Sequence, residues 1–472
     1  MMYLSSILFE CRWRAKYIVH HGMVNKMVRV AIVGGGASGV ATALALKELE
    51  PDCQIDLYEG SDRLGGMADS LIDARTQKQV NYGVQGVHES FVHTLQMVTL
   101  ARSVDPDIPD VKPVSLSSQF VKGQEVWSTE GESDRVISEE DAVRFERMLR
   151  EAQNHPDVYA LLTIVEACRS YSISDKCIYG AVLPTLALFF GTGNQVYWLP
   201  ASLGAQVFAV KGGKTPITIF DFDPETFIRV RGSPNMRTLP PLRPIYRALE
   251  NHLRSRGVSV LLGQRVQSVS KLGVVNGTKQ YDRVIICAQA EDARSLLSND
   301  HSAKRVLNHA VYHTDVTVTH ADEIHMRETF KYDGRHNYYI RTRSTQPRHI
   351  LDMGFDLTRY QDTGGMPVFQ TIFLEPVQEE DVRAIKDTVF KPHVWRQLGH
   401  TVNHLVRCAA RMKTVQGPVV FFAGSYLLVN SHEIAVMTGI KAAQMALGTT
   451  KFPENTFGAP SEAFHELTSQ LY

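Results

Sequence analysis

The sequence predicts a composite α/β (α+β) fold: a Rossmann-like nucleotide-binding domain, a mixed-sheet substrate domain and a helical cap. Three observations predict it. A short β-branched run, Val28-Arg-Val-Ala-Ile-Val33, leads directly into Gly34-Gly-Gly36-Ala37-Ser38-Gly39. A second apolar strand lies near the far end of the chain, ahead of a helix rich in small residues. At 472 residues the chain also exceeds what one simple core accommodates, so several packed units are expected.

Bulk composition narrows the function classes. A hydrophobic fraction of 44% and a charged fraction of 21% are ordinary globular usage. Fifty basic residues balance fifty acidic ones, which removes the electrostatic argument for nucleic acid or an anionic membrane and leaves a small molecule as the expected partner. Cys11, Cys53, Cys168, Cys177, Cys287 and Cys408 show no CxxC spacing or Cys/His cluster, so neither a metal site nor a disulfide framework is expected. They read as free thiols in a reducing, cytoplasmic compartment. No segment approaches the roughly 18–20 apolar residues of a membrane span. In the N-terminal extension, residues 1–27, the short apolar piece Tyr3–Phe9 precedes Arg12, Arg14 and Lys16, the reverse of a secretory signal's order.

The first strand is apolar enough to be buried on both faces of a parallel sheet. After it, Gly34 permits a tight turn, Gly36 lets backbone approach a pyrophosphate, and Gly39 lets helix and strand pack closely. Ala37 and Ser38 open the helix, whose N-terminus then faces the phosphates. Val40–Leu49 supplies good helix formers, and Ile55–Tyr58 a second strand ending at Glu59. Glu59 lies 20 residues beyond Gly39. That is the spacing, about 20, at which a carboxylate accepts ribose hydroxyl hydrogens, and it disfavours a 2′-phosphate.

Beyond Glu59 the chain reads Ser-Asp-Arg63-Leu-Gly65-Gly66. Taken with Glu59, this run resembles the FAD signature of the flavin amine oxidase superfamily. The resemblance implies FAD as cofactor, Glu59 on the adenosine ribose, and Arg63, Gly65 and Gly66 along the pyrophosphate. It makes residues 28–100 the first part of an FAD-binding domain and places Gly83 and Val84, within Asn81-Tyr82-Gly83-Val84-Gln85, beneath the flavin ring. The order of elements is similar to fungal β-cyclopiazonate dehydrogenase-like oxidoreductases and to flavin-dependent fatty-acid isomerases.

Residues 101–243 are expected to form a helical cap and substrate-facing unit. Ser138 reads as an N-cap for a helix running to Arg150, and Asp157–Leu188 continues mostly helical. Leu186, Phe189, Phe190, Tyr197 and Trp198 are expected in the cap's core. From Pro244, Ile245, Leu249 and Leu253 share one helical face, and Gly257 ends that helix. Strands follow at Val258–Leu262 and Asp282–Ala288, making residues 244–300 the second part of the nucleotide-binding domain. The resemblance matches Gly212-Gly213 to a glycine pair ahead of this helix and Val266 to the valine whose backbone meets the adenine. Alternation in Val311–Val318, Asn337–Arg341 and Val368–Phe373 predicts a mixed sheet over residues 301–410.

Residues 411–448 supply the third part: strand Val419–Phe422, the turn Ala423-Gly424-Ser425-Tyr426 and a helix from His432. A helix N-terminus at the flavin stabilises negative charge through its free N–H groups and dipole. By the resemblance, Gly424, Ser425, Glu433 and Ile434 contact the cofactor. Ser425 stands where the family carries Asp or Glu, a weaker acceptor for a ribityl hydroxyl. Residues 449–472 form a C-terminal tail.

The implied function is an FAD-dependent oxidase or dehydrogenase moving a hydride from a small, apolar metabolite to flavin N5, in secondary metabolite biosynthesis. With one dinucleotide fingerprint visible, an external electron acceptor such as O2 is expected. Two alternatives stand beside this reading: a redox-neutral FAD-dependent isomerase of an unsaturated or fatty-acid-like substrate, and a non-catalytic FAD-bound partner protein. Lys391–His400 carries Trp395 but lacks the Gly-Ser/Ala-Tyr ending of amine-binding relatives, which argues against a simple amine. Tyr82, His88, Glu89 and His400 are acid–base candidates by position alone. His313-Thr314-Asp315 resembles a segment of bacterial relatives, with no catalytic role assigned.

Overall fold

The computed structural model describes residues 27–465, except 116, 130–136, 192, 214–219, 224–226, 231–235 and 345–348. The expectations for residues 1–26 and for the tail beyond 465 fall outside that set.

The strand after the extension sits at the centre of a five-stranded sheet, because its apolar side chains need cover on both faces. The sheet runs Ser259–Leu261, Gln54–Tyr58, Arg29–Val33, Arg283–Ile286, Val420–Phe422, and every pairing is parallel. Val30, Ala31 and Ile32 are fully buried, as a parallel strand covered on both sides must be. Val30 and Ile32 pack under the helices Ala37–Leu49, Leu242–Ser255 and His432–Leu447. Ala31 and Val33 face the opposite side, with Val266, Val269 and Leu296. Segments from the start, middle and end of the chain thus share one sheet.

Two helices from opposite ends of the chain cross closely. A Cβ on Gly439 would stand 2.4 Å from the Ser38 carbonyl oxygen and 3.2 Å from the Ala41 Cβ. The Thr42 hydroxyl lies 3.1 Å from the Gly439 carbonyl oxygen and 2.7 Å from that of Ser38.

A second sheet of seven strands runs His393–Gly399, Val311–His320, Phe369–Phe373, His349–Asp356, Tyr338–Ser344, Ser118–Lys122, Glu125–Ser128. Its pairings are antiparallel except that of Tyr338–Ser344 with Ser118–Lys122. Within the expected helical cap and substrate-facing unit, residues 118–128 supply two strands to this sheet. They form a hairpin that turns at Gly123 (φ +64°), and Phe120 and Trp127 stack at 4.0 Å between ring centroids. The segment with Trp395 is likewise an edge strand.

The cap packs helices onto one face of this sheet. Ser138 caps Glu139–Asn154 by accepting from the Asp141 N–H, and Thr163 and Glu166 form a reciprocal capping box on Ile164–Ser170. Leu186 and Phe190 are buried as expected, but Trp198 is 44% exposed and leaves the core. Gly212-Gly213 is spent on the cap, where a Cβ on Gly213 would meet the Gln153 side chain at 1.9 Å. The helix expected from Pro244 begins at Leu242, because Asn81 Oδ1 accepts from its N–H at 3.0 Å. Among the described residues, no helix is long and apolar enough to cross a membrane, and Cys53, Cys168, Cys177, Cys287 and Cys408 are free and buried.

The helix crossing is directly testable. Gly439→Ala places a methyl against backbone that cannot yield locally, and should cost about 1–3 kcal/mol of stability, as overpacking does. Urea unfolding monitored by circular dichroism measures it; an unchanged midpoint would remove the crossing as a constraint.

Candidate functional site

The carboxyl ends of the parallel strands gather the glycine turns, as open α/β sheets do at their binding crevices. Gly34 has φ +110°, and a Cβ there would meet the Cys287 carbonyl oxygen at 2.7 Å. A Cβ on Gly39 would lie 1.9 Å from the Gly34 carbonyl oxygen. Both glycines are demanded by the fold itself. Gly36 differs: its φ is −72°, which any residue adopts, and a Cβ would meet nothing within 4 Å. The helix Ala37–Leu49 starts there without a side-chain cap, so its first N–H groups, including those of Ala37, Ser38 and Gly39, have no intrahelical partner.

The second glycine pair closes on the first. Gly65 donates its N–H to the Gly35 carbonyl at 2.9 Å, Gly36 and Gly65 bridge in parallel, and a Cβ on Gly66 would stand 3.3 Å from the Gly36 Cα. Glu59 is tied to the same turn, accepting from the Gly35 N–H at 2.7 Å and the Ser61 N–H at 2.8 Å. Gln264 donates to the Glu59 carbonyl at 2.9 Å, which brings the strand end leading to the buried Val266 beside it.

Arg63 reaches the Gly66 carbonyl and pairs with Asp69 at 2.9 Å. Asp69 also pairs with Arg243 at 2.8 Å and accepts from the Tyr82 hydroxyl at 3.0 Å. Burial works to raise the Asp69 pKa, but the hydrogen bonds and charges of Arg243 and Arg63 outweigh it and hold the carboxyl below its usual value. Two guanidiniums thus share the Asp69 carboxylate beside the glycine turns, where Glu59 is also held.

Next to Tyr82, Gly83 passes under an aromatic wall. A Cβ there would meet the Met67 carbonyl oxygen at 2.4 Å and the Trp395 ring at 3.2 Å. Val84 is half-buried beside it. Trp395 donates its indole N–H to Thr317 at 3.0 Å, and Tyr82 lies 5.1 Å from the His393 ring. Gly424 (φ +150°) donates its N–H to the Thr438 hydroxyl at 3.0 Å. Ser425 Oγ is 3.5 Å from Asn430 Oδ1.

The Glu433 side chain is corrected by the structure. It is buried and accepts from the His93 and Thr94 N–H groups at 3.0 and 2.8 Å, so it caps the helix Val92–Val104 rather than facing the groove. Ile434 likewise packs in the core. What Glu433 and Ile434 offer the groove is backbone N–H in the uncapped first turn of their own helix.

The acid–base candidates do not converge. Burial and the neighbouring Asp69 push the Tyr82 hydroxyl up to about 12, and it is already committed as a donor. His88 bonds Ser90 at 2.7 Å, and its pKa is lowered by burial. Glu89 is exposed. His400 is fully buried, and burial, then His404 and His313, hold its pKa well below the ordinary histidine value. Asp69, Arg243, Asn430 and Gln397 escaped the sequence reading. Only Asp69, three residues past Gly66, carried a positional signal.

Residues 32–99 match the model of the NAD(P)-binding Rossmann-like domain family. Over 42 residues the chain is 52% identical to protoporphyrinogen oxidase of Schizosaccharomyces pombe, a stretch covering 9% of each protein. Its structure is similar to that of a protoporphyrinogen oxidase candidate from Exiguobacterium sp. 255-15, with TM-score 0.62 and 15% identity over 91% of this chain and 100% of that one. It is also similar to cyclohexylamine oxidase from Brevibacterium oxydans, with TM-score 0.60 and 15% identity over 90% of this chain and 99% of that one. The chain shares the fold of these two solved structures, with a Rossmann-like domain over residues 32–99.

Two stability measurements follow from these contacts. Glu433→Ala strands two buried N–H groups and should cost about 2–4 kcal/mol, with Glu433→Gln intermediate, by chemical denaturation. His404 is fully buried and its pKa is lowered to about 4 by burial. The unfolded chain therefore binds the extra proton between pH about 6.5 and 4, so this stabilisation is complete above about 6.5 and lost on acidification. Urea midpoints should fall with pH across that window, and a His404→Gln variant should show a shallower slope.

Proposed function

We propose that this chain is an FAD-dependent oxidoreductase whose cofactor lies across the carboxyl ends of the five-stranded sheet. The observation that carries the proposal is the contrast among the motif glycines. The fold uses Gly34 and Gly39 for its own packing, whereas Gly36 has open space where a side chain would project. A glycine costs conformational entropy, and close approach of a ligand to the backbone offsets that cost.

The donor set suits the group. Backbone N–H groups of Gly36, Ala37, Ser38 and Gly39, with Gly65, Gly66 and the Arg63 charge, would hold the pyrophosphate. Glu59 and the backbone at Val266 would hold the adenosine. Gly83, Val84, Gly424, Ser425 and the first-turn N–H groups of Glu433 and Ile434 would surround the ring system. Residues 28–100, 244–300 and 411–448 then act as the cofactor-binding domain, and residues 101–243 and 301–410 face the substrate.

When bound, FAD supplies the hydride acceptor. The protein supplies position and field. The N-terminus of the closing helix lowers the energy of negative charge that develops beside it. Trp395, Tyr82 and the packed cap exclude water from one side. The Asp69 network keeps the Tyr82 hydroxyl engaged as a donor, so Tyr82 orients rather than exchanges a proton. The substrate in this reading is a small, largely apolar metabolite, and an external acceptor such as O2 takes the electrons away in the cytoplasm.

Purified protein supplied with FAD should turn yellow and retain the cofactor through gel filtration. Gly36→Val should leave folding intact, since an added Cβ has no protein atom within 4 Å, yet lose FAD. A well-folded wild type that stays colourless would sink the proposal. Anaerobic bleaching by a substrate with loss of two hydrogens supports oxidation, and a product of unchanged mass would redirect the reading to an isomerase.

A further inference from the structure

The loop between Gly424 and the closing helix is held at two points by buried histidines in opposite tautomers. His404 lies in the helical turn His404–Cys408, and its Nε2 is 2.7 Å from the Tyr426 carbonyl oxygen. A carbonyl only accepts, so this ring carries its proton on Nε2. His400 ends the Trp395 strand, and its Nε2 is 2.6 Å from the Asn430 N–H. A backbone N–H only donates, so this ring must accept at Nε2 and carry its proton on Nδ1. Both imidazoles are 0% exposed.

Asn430 extends the connection in both directions. Its Nδ2 donates to Gln397 Oε1 at 2.7 Å, and its Oδ1 is 3.5 Å from Ser425 Oγ. Gln397 lies in the edge strand of the seven-stranded sheet and His400 directly follows that strand, whereas Ser425 follows the last strand of the five-stranded one. The polar atoms of Asn430 therefore tie the two sheets together at the loop that precedes the uncapped helix.

We propose that Asn430 is a latch fixing the loop Gly424–Ser431 against the seven-stranded sheet, and that His400 is the positioning residue that holds it. The inference rests on the FAD reading for its consequence: the latch sets where Ser425 and the first turn of the closing helix stand against the flavin. An imidazolium at position 400 would offer two donors and no acceptor, so the bond exists only with the neutral ring. Burial enforces that state: the pKa of His400 lies well below the ordinary histidine value, with His404 and His313 facing it and Asp315 3.4 Å from His313. His404 grips the loop from the other end without needing to accept, so the two contacts are not interchangeable.

Three variants separate this role from simple packing. His400→Leu removes the acceptor while filling the space, His400→Gln restores an acceptor, and Asn430→Ala removes the latched side chain. Losing a buried hydrogen bond here should speed FAD dissociation by about tenfold in His400→Leu and alter the flavin absorbance bands, with His400→Gln near wild type. In protein without FAD, hydrogen exchange of the amides at 425–431 should accelerate in His400→Leu and stay slow in His400→Gln. Should His400→Leu fail to fold, Asn430→Ala, which removes the side-chain bonds to Gln397 and Ser425 but keeps the backbone N–H that His400 accepts, tests the latch by the same readouts, and His400→Gln against wild type tests the positioning role. Exchange and FAD release unchanged in the variants would overturn the latch while leaving the flavoprotein reading standing. Wild type that takes up no FAD would overturn that reading, and the exchange measurement would still decide whether the latch exists.

Discussion

The near-contact of two helix backbones at Gly439 and Ser38 is the constraint on which the site depends. It binds the helix that follows the first glycine turn to the one that follows the last strand, 397 residues apart along the chain between Thr42 and Gly439. With those helices in register, the strands beneath them must lie in one sheet, and their carboxyl ends must open on one groove. Anything that separated the helices would move Gly36 and Gly424 apart together. The site is therefore a property of long-range packing, although each glycine turn is local.

Electrostatics reinforce that geometry. Asp69 collects Arg63, Arg243 and Tyr82, and so joins the loop after the second strand to the start of the Leu242–Ser255 helix and to the segment beneath the aromatic wall. Glu433 does the same for the closing helix by capping Val92–Val104. Both carboxylates are buried with their oxygens in use, but only Asp69 is held below its usual pKa, whereas burial raises that of Glu433. The glycine turns are left with the free backbone N–H groups of the first helical turns.

Much of this was legible in the sequence because its signals are local. The β-α-β unit, the spacing of Glu59 and the closing strand and helix all rest on patterns within a few tens of residues. What escaped rests on distant partners. Nothing around Glu433 shows that its side chain serves a helix 340 residues away, and Arg243 is 174 residues from Asp69. The hairpin at 118–128 is short and mixed in polarity, so its membership in a sheet is decided by the strand Tyr338–Ser344 beside it. Trp198 and Gly212-Gly213 show the same limit from the other side: one aromatic residue left the core, and one glycine pair was taken up by the cap.

The Asp69 cluster also makes the molecule redundant where redundancy matters. One carboxylate shared by two arginines stays neutralised if either cation is drawn toward a passing anion, so Arg63 can turn outward while Arg243 keeps the loop anchored. Recruitment of a negatively charged guest therefore need not compete with the integrity of the scaffold.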